Sequence, residues 1–110
     1  MEMEIMKNVN ILGTEYSIEI DDTLEKTELD GLCKEYNKQI SVRSVGSMLN
    51  DNDSTDTKKI RFEEVLRHEI IHAFFYEAGL EDYSDNEQLI DWIAKQFPKL
   101  EKAFKEADCL

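Results

Sequence analysis

Two histidines constrain what this chain can become more than any other feature. His68 and His72 are its only histidines, and they lie within a long apolar run from Phe62 to Ala78. Phe62, Val65, Leu66, Ile70, Ile71, Phe74 and Phe75 spread over more than one helical face. That distribution predicts a central helix sandwiched between a sheet and other helices. Positions i and i+4 share a helix face, so both imidazoles can point at one spot. Two imidazole nitrogens at about 2.0–2.1 Å supply half of a tetrahedral zinc shell. Glu69 follows the first histidine, where a carboxylate can reach a water in the open position and take its proton. Such groups inside an apolar helix need partners to offset desolvation. A metal would provide them; the plain alternative is two helix histidines spaced this way by chance.

The rest of the chain reads as a sheet before this helix and more helices after it. Residues 5–12 partly alternate, Gly13-Thr14 marks a turn, and Tyr16, Ile18 and Ile20 alternate with polar neighbours. This is a β-hairpin pattern. Thr23 to Leu29 reads as a short helical turn capped by Asp22 or Thr23. A second hairpin is expected from Gly31–Tyr36 and Gln39–Val45 around Asn37-Lys38, with Asn taking the positive φ. The expected sheet is therefore small and antiparallel, with three or four strands within residues 1–49. Asn50 to Thr57 is a polar loop with several N-cap candidates. It lacks the glycine and distant glutamate of a calcium loop, so it reads as a solvated connection.

The central helix is expected over 57–79, with Gly79 as the residue just past its end and Leu80 as the accompanying contact. After a loop at 81–83, Ser84-Asp85-Asn86-Glu87 opens a helix over 85–97, with Leu89, Ile90, Trp92, Ile93 and Phe97 inward. Pro98 ends that helix and starts a last one over 98–107, with Leu100, Ala103 and Phe104 inward. The fold class is α+β, a single domain of 110 residues. No internal repeat or low-complexity tract is present.

With no third histidine, a further protein ligand must be a carboxylate or a thiolate. Glu87 is the best-placed carboxylate, 15 residues after His72, in the first turn of a helix that a short loop folds back. Asp91 lies four residues on, on the same face, where it can receive the N–H of a metal-bound imidazole. Ser84-x-x-Glu87 equally fits a capping box, in which Glu87 bonds back to the Ser84 N–H. One glutamate serves one role or the other, and the upstream histidines favour the ligand.

His68-Glu69-Ile70-Ile71-His72 followed by Asn86-Glu87-Gln88-Leu89-Ile90-Asp91 resembles the gluzincin metallopeptidases. These carry His-Glu-x-x-His on one helix and Asn-Glu-x-x-x-Asp on the next. More closely, the chain is similar to small single-domain proteins of this clan from bacteria, archaea and phage (minigluzincin-like, with some likeness to the ImmA/IrrE peptidases). The resemblance implies a zincin-like fold, one zinc bound by His68, His72 and Glu87, and Glu69 as general base and acid. It implies Asp91 behind the first histidine, and a sheet edge strand, here Gln39 to Val45, that pairs with a peptide or protein substrate. Larger gluzincins have a second subdomain that completes the cleft and supplies oxyanion donors; 110 residues leave no room for one. The runner-up is a catalytically weak or latent zinc-binding module that holds an extended peptide on its sheet edge.

Composition excludes some partners. Thirteen basic and 25 acidic residues give a net charge of −12, which repels phosphate backbones and anionic membranes. No apolar run approaches the ~18 residues of a membrane span, and Met1-Glu2-Met3-Glu4 is no basic leader. The expected location is therefore cytoplasmic, with Cys33 and Cys109 reduced. Among secondary candidates, Tyr83 is placed to stabilise an oxyanion, Tyr76 less so. Arg43 is read as solvent-facing, with a substrate carboxylate as its alternative partner. Cys33 is read as a small buried hydrophobe. Cys109 is a candidate for the fourth metal position that would keep the enzyme latent.

Overall fold

The computed structural model describes residues 4–110; Met1 to Met3, part of the N-terminal reading above, lie outside the described residues. Strands β1 (Glu4–Ile11) and β2 (Thr14–Ile20) form the first hairpin. Its turn is Leu12-Gly13, one residue earlier than expected, with φ of 50° and 94°. Both are positive, as a two-residue type I′ turn requires. The Gly13 N–H donates to Asn10 Oδ1 at 2.9 Å.

The second hairpin pairs β3 (Gly31–Lys34) antiparallel with β4 (Gln39–Val42), both shorter than expected. The positive φ falls on Lys38, at 53°, and not on Asn37. Lys38 is anchored from both ends: its carbonyl accepts from Ser17 N–H at 3.0 Å and its ammonium donates to Glu77 at 2.8 Å.

The sheet is mixed, not antiparallel. Its order is β1-β2-β4-β3, and β2 and β4 run parallel. Composition explains which arm of the second hairpin docks on β2. Ile40, Ser41 and Val42 are fully buried, and a strand covered on both faces belongs inside a sheet. β3, with Gly31 and Lys34, is left at the edge. The edge strand is thus Gly31–Lys34 and not the Gln39 to Val45 segment. Between the hairpins lies a 3₁₀ turn, Asp22–Thr27, capped by neither Asp22 nor Thr23 but by Asp21, which accepts from Thr23 N–H at 3.0 Å. Asp22 accepts instead from Ser44 N–H and the Ser47 hydroxyl. Against the effect of burial, bonds from Ser44 and Ser47 and the Arg43 charge hold its carboxyl below the usual range.

Helix α1 (Thr55–Glu77) begins two residues before its expected start, capped by Ser54, which accepts from Thr57 N–H at 3.1 Å. It ends as expected at Gly79, with φ of 78°. Gly79 N–H donates to the Tyr76 carbonyl and Leu80 N–H to that of Phe75, the paired bonds of a Schellman motif. Phe62, Val65 and Ala73 pack on Tyr16, Ile18, Ile40, Val42 and Met48. Glu77 is tied to the sheet by the Tyr16 hydroxyl at 2.6 Å, Lys38 at 2.8 Å and the Thr14 hydroxyl at 3.0 Å. A carboxylate at a helix C-terminus opposes the dipole, and these donors, Lys38 first, hold its pKa below the usual range.

The C-terminal region differs most from expectation. Residues Glu81–Ser84 form a one-turn helix, α2, in place of a loop. A single helix, α3 (Glu87–Glu106), replaces the two helices over 85–97 and 98–107, with Pro98 inside it. Pro98 has no N–H for the Ala94 carbonyl. The Arg67 side chain on α1 supplies the missing donor, its Nε lying 2.7 Å from that oxygen. Ile90 and Ala94 are buried, but Trp92 is 61% exposed, and Phe97, Leu100 and Phe104 are exposed as well. Trp92 lies on the side of α3 opposite Ile90 and Ala94, and the residues from Phe97 on lie beyond the buried first half of the helix. Among the described residues no helix is long and apolar enough to cross a membrane.

Candidate metal centre

Helix α1 places His68 and His72 on one face, with ring centroids 4.9 Å apart. The turn through α2 brings the first residue of α3, Glu87, against them. His68 Nε2 lies 2.9 Å from Glu87 Oε1, and His72 Nε2 lies 3.2 Å from the same oxygen. The two Nε2 atoms are 3.2 Å apart. Ligands at about 2.0–2.1 Å from a tetrahedral ion stand about 3.3 Å from one another, so these three edges match one face of such a shell. His68, His72 and Glu87 could therefore hold a metal ion.

Glu87 is not a cap. Asn86 caps α3, its side-chain oxygen accepting from Leu89 N–H at 3.0 Å. Ser84 is buried elsewhere, its hydroxyl donating to the His72 carbonyl at 3.1 Å. With its one proton used there, Ser84 Oγ can only accept from His72 Nδ1, 3.4 Å away. The hydrogen-bond network therefore assigns the proton to Nδ1 and leaves a lone pair on Nε2, facing Glu87. On His68, Nδ1 faces Asp91 Oδ1 at 3.7 Å, and Asp91 is held by Lys95 at 3.0 Å. The two histidines thus turn the same nitrogen to the centre, each backed by an acceptor.

Glu69 is buried at the floor of the cleft, 7% exposed. Burial pushes its carboxyl up to about 8, and the charges of Glu87 and Glu35 add to the shift. It accepts no hydrogen bond from the described residues. A cation beside it would relieve both causes. Gly31 lets β3 approach closely: a Cβ there would meet Val65 Cγ1 at 2.8 Å and Glu69 Cγ at 3.0 Å. The resulting cleft, about 410 Å³, lies between β3 and the α1–α3 junction and is lined by Leu32, Cys33, Glu69, both histidines and Glu87. A smaller one adjoins it past His68, lined by Glu28, Asp30, Glu64 and Asp91.

Other candidates lie outside this arrangement. Tyr83, 52% exposed, packs on Phe75 with ring centroids 5.9 Å apart and faces a separate depression beside Gly79. Its phenol is not part of the cleft wall, because the α2 turn directs Ser84 and not Tyr83 inward. Tyr76 packs edge-on against Tyr36 beside Lys38. Arg43 is neither solvent-facing nor free for a substrate. It is 14% exposed, pairs with Asp30 at 3.3 Å and donates to Ser47. Cys33 is half-buried in the cleft wall; burial, with the charges of Glu35, Glu69 and Glu77, pushes its thiol up to about 12. Cys109 donates to the Phe104 carbonyl at 3.4 Å. It lies beyond the far end of α3, and a 20-residue helix is about 30 Å long, so it does not approach the centre.

Sequence reasoning missed Ser84 as the partner of His72, because its spacing to Glu87 is also that of a cap. It missed Gly31 and Arg67 altogether, since their roles depend on contacts between distant elements. Comparison with models of protein families, with curated proteins and with solved structures finds no match to this chain.

Proposed function

We propose that this chain is a zinc-dependent metallopeptidase of gluzincin-like design. The observation that carries the reading is the convergence of His68 Nε2, His72 Nε2 and the Glu87 carboxylate, with Glu69 buried beside them. Two imidazoles and one carboxylate suit zinc with an open fourth position. When bound, zinc supplies Lewis acidity towards a carbonyl oxygen and towards water. Glu69 carries the proton from the attacking water to the leaving nitrogen. The free edge of β3 holds the substrate, an extended segment of a peptide or protein, by strand addition. Ser84 and Asp91 keep the two histidines oriented.

A second reading has a specific observation in its favour. Tyr83 faces away from the cleft, which leaves no side-chain phenol to stabilise an oxyanion. This favours a weakly catalytic zinc module that holds a peptide on the β3 edge. Glu69→Ala separates the two, since a structural site gains nothing from that carboxylate. The expected result is about one zinc per chain in parent and variant, with cleavage of an unfolded protein substrate lost only in the variant. Equal cleavage by both, or none by the zinc-loaded parent, overturns the peptidase reading. Failure of the parent to retain zinc overturns both.

A further inference from the structure

We propose that the exposed apolar stripe of α3 is a dimer interface, in which α3 packs antiparallel against α3 of a second copy of this chain. Ile93, Phe97, Leu100 and Phe104 recur at the alternating three- and four-residue steps of a helix–helix seam. The stripe continues the row begun by Ile90, which is fully buried inside the domain. Beyond Phe97 its side chains are exposed. Phe97, Leu100 and Phe104 are 43%, 47% and 38% exposed. Residues 98–106 make little more than two turns of helix, and so short a helix is marginal in water without packing.

The order of residues argues that the occupant is the same chain. A two-fold interface requires that if residue i meets residue j, then j meets i. Placing the axis between Pro98 and Lys99 puts Phe97 opposite Leu100 of the second copy and Ile93 opposite Phe104. The same register sets Lys95 level with Lys102 and Asp91 level with Glu106, like-charged pairs that lie on the outer faces of the two helices, away from the seam.

Charge and area agree with this choice. Residues 92–106 carry four lysines and two glutamates, in a chain whose net charge is −12. Joining two copies here brings together the surfaces that repel least. Phe74 on α1, 43% exposed, borders the same groove with Ile71 and Phe97. With Trp92, Phe97, Leu100 and Phe104 it leaves on the order of 500 Å² of apolar side-chain surface per copy, about 1,000 Å² for the pair, which is where specific interfaces begin.

The test uses the full chain with Cys109→Ser, so that the exposed thiol cannot cross-link. Sedimentation velocity from 1 to 100 µM is expected to show a monomer–dimer equilibrium. Leu100→Glu is expected to raise the dissociation constant about 100-fold or more, with helix content unchanged; Phe104→Glu is a second variant at a position equally outside the domain core. Mixed Phe97→Cys and Leu100→Cys chains are expected to cross-link faster than either alone. A parent that is monomeric at 100 µM overturns the proposal. So does a dimer that persists in both Glu variants, and so does predominant same-position cross-linking, which means parallel helices. None of these outcomes depends on zinc or on peptidase activity.

Discussion

Ser84 connects local chain geometry to the chemistry of the centre. It is buried, donates to one carbonyl of α1, and by doing so is left as an acceptor for His72 Nδ1. A partner behind a ligating imidazole typically changes metal affinity by about 10–100-fold. The bond here is long, so Ser84→Ala should weaken zinc binding about 10-fold, and Ser84→Thr, which keeps the hydroxyl, should restore most of it. Competition against a chromophoric chelator measures both. An unchanged affinity in Ser84→Ala would mean that packing alone orients His72. The pairing of His68 with His72 on one face was legible in the sequence because i, i+4 spacing on a helix is a local property. Ser84 was not, since Ser-x-x-Glu has one spacing whether it caps a helix or serves a site. Tyr83 was placed at the centre on proximity in sequence alone, and a one-turn helix was enough to point it elsewhere.

At the scale of elements, Pro98 and Arg67 form a unit that neither position reveals alone. A proline costs a helix its bond to the residue four back, commonly ~3 kcal/mol or more. That cost is why residues 85–107 read as two helices. The structure offsets part of it with a donor from another helix, Arg67 Nε to the Ala94 carbonyl. A double-mutant cycle tests this. Arg67→Met should destabilise the parent by about 1–3 kcal/mol, by leaving a buried carbonyl unpaired. In a Pro98→Ala background the helix supplies its own N–H, so the same substitution should cost clearly less. Urea unfolding gives all four stabilities, and equal costs in the two backgrounds would show that Arg67 acts through something other than this carbonyl. The sheet teaches a related lesson. Both hairpins were legible from alternation and turn residues, but the joint between them was not. Which arm of β3–β4 meets β2 depends on burial of both faces of β4, a property of the assembled core.

For the molecule as a whole, the candidate metal site joins two layers that the core connects only in part. His68 and His72 belong to α1, which is anchored to the sheet by Phe62, Val65 and Ala73. Glu87 opens α3, which touches α1 and α2 but makes no main contact with the sheet. Each histidine Nε2 stands at hydrogen-bond distance from the Glu87 carboxylate, and the buried Glu69 adds a further acid group. An ion would replace these contacts with three coordinate bonds that tie α3 to α1. Binding to the folded form alone stabilises by RT ln(1 + [L]/Kd), about 2.7 kcal/mol at one hundred times Kd. That gain should be local as well as global. Saturating zinc should slow amide exchange in residues 81–97, where docking depends on the centre, much more than in β1 and β2, whose pairing does not. A chelator should reverse the change, and His72→Ala should abolish it. Equal protection of α3 and the first hairpin would mean that the ion stabilises the fold uniformly, with no separate docking step for α3.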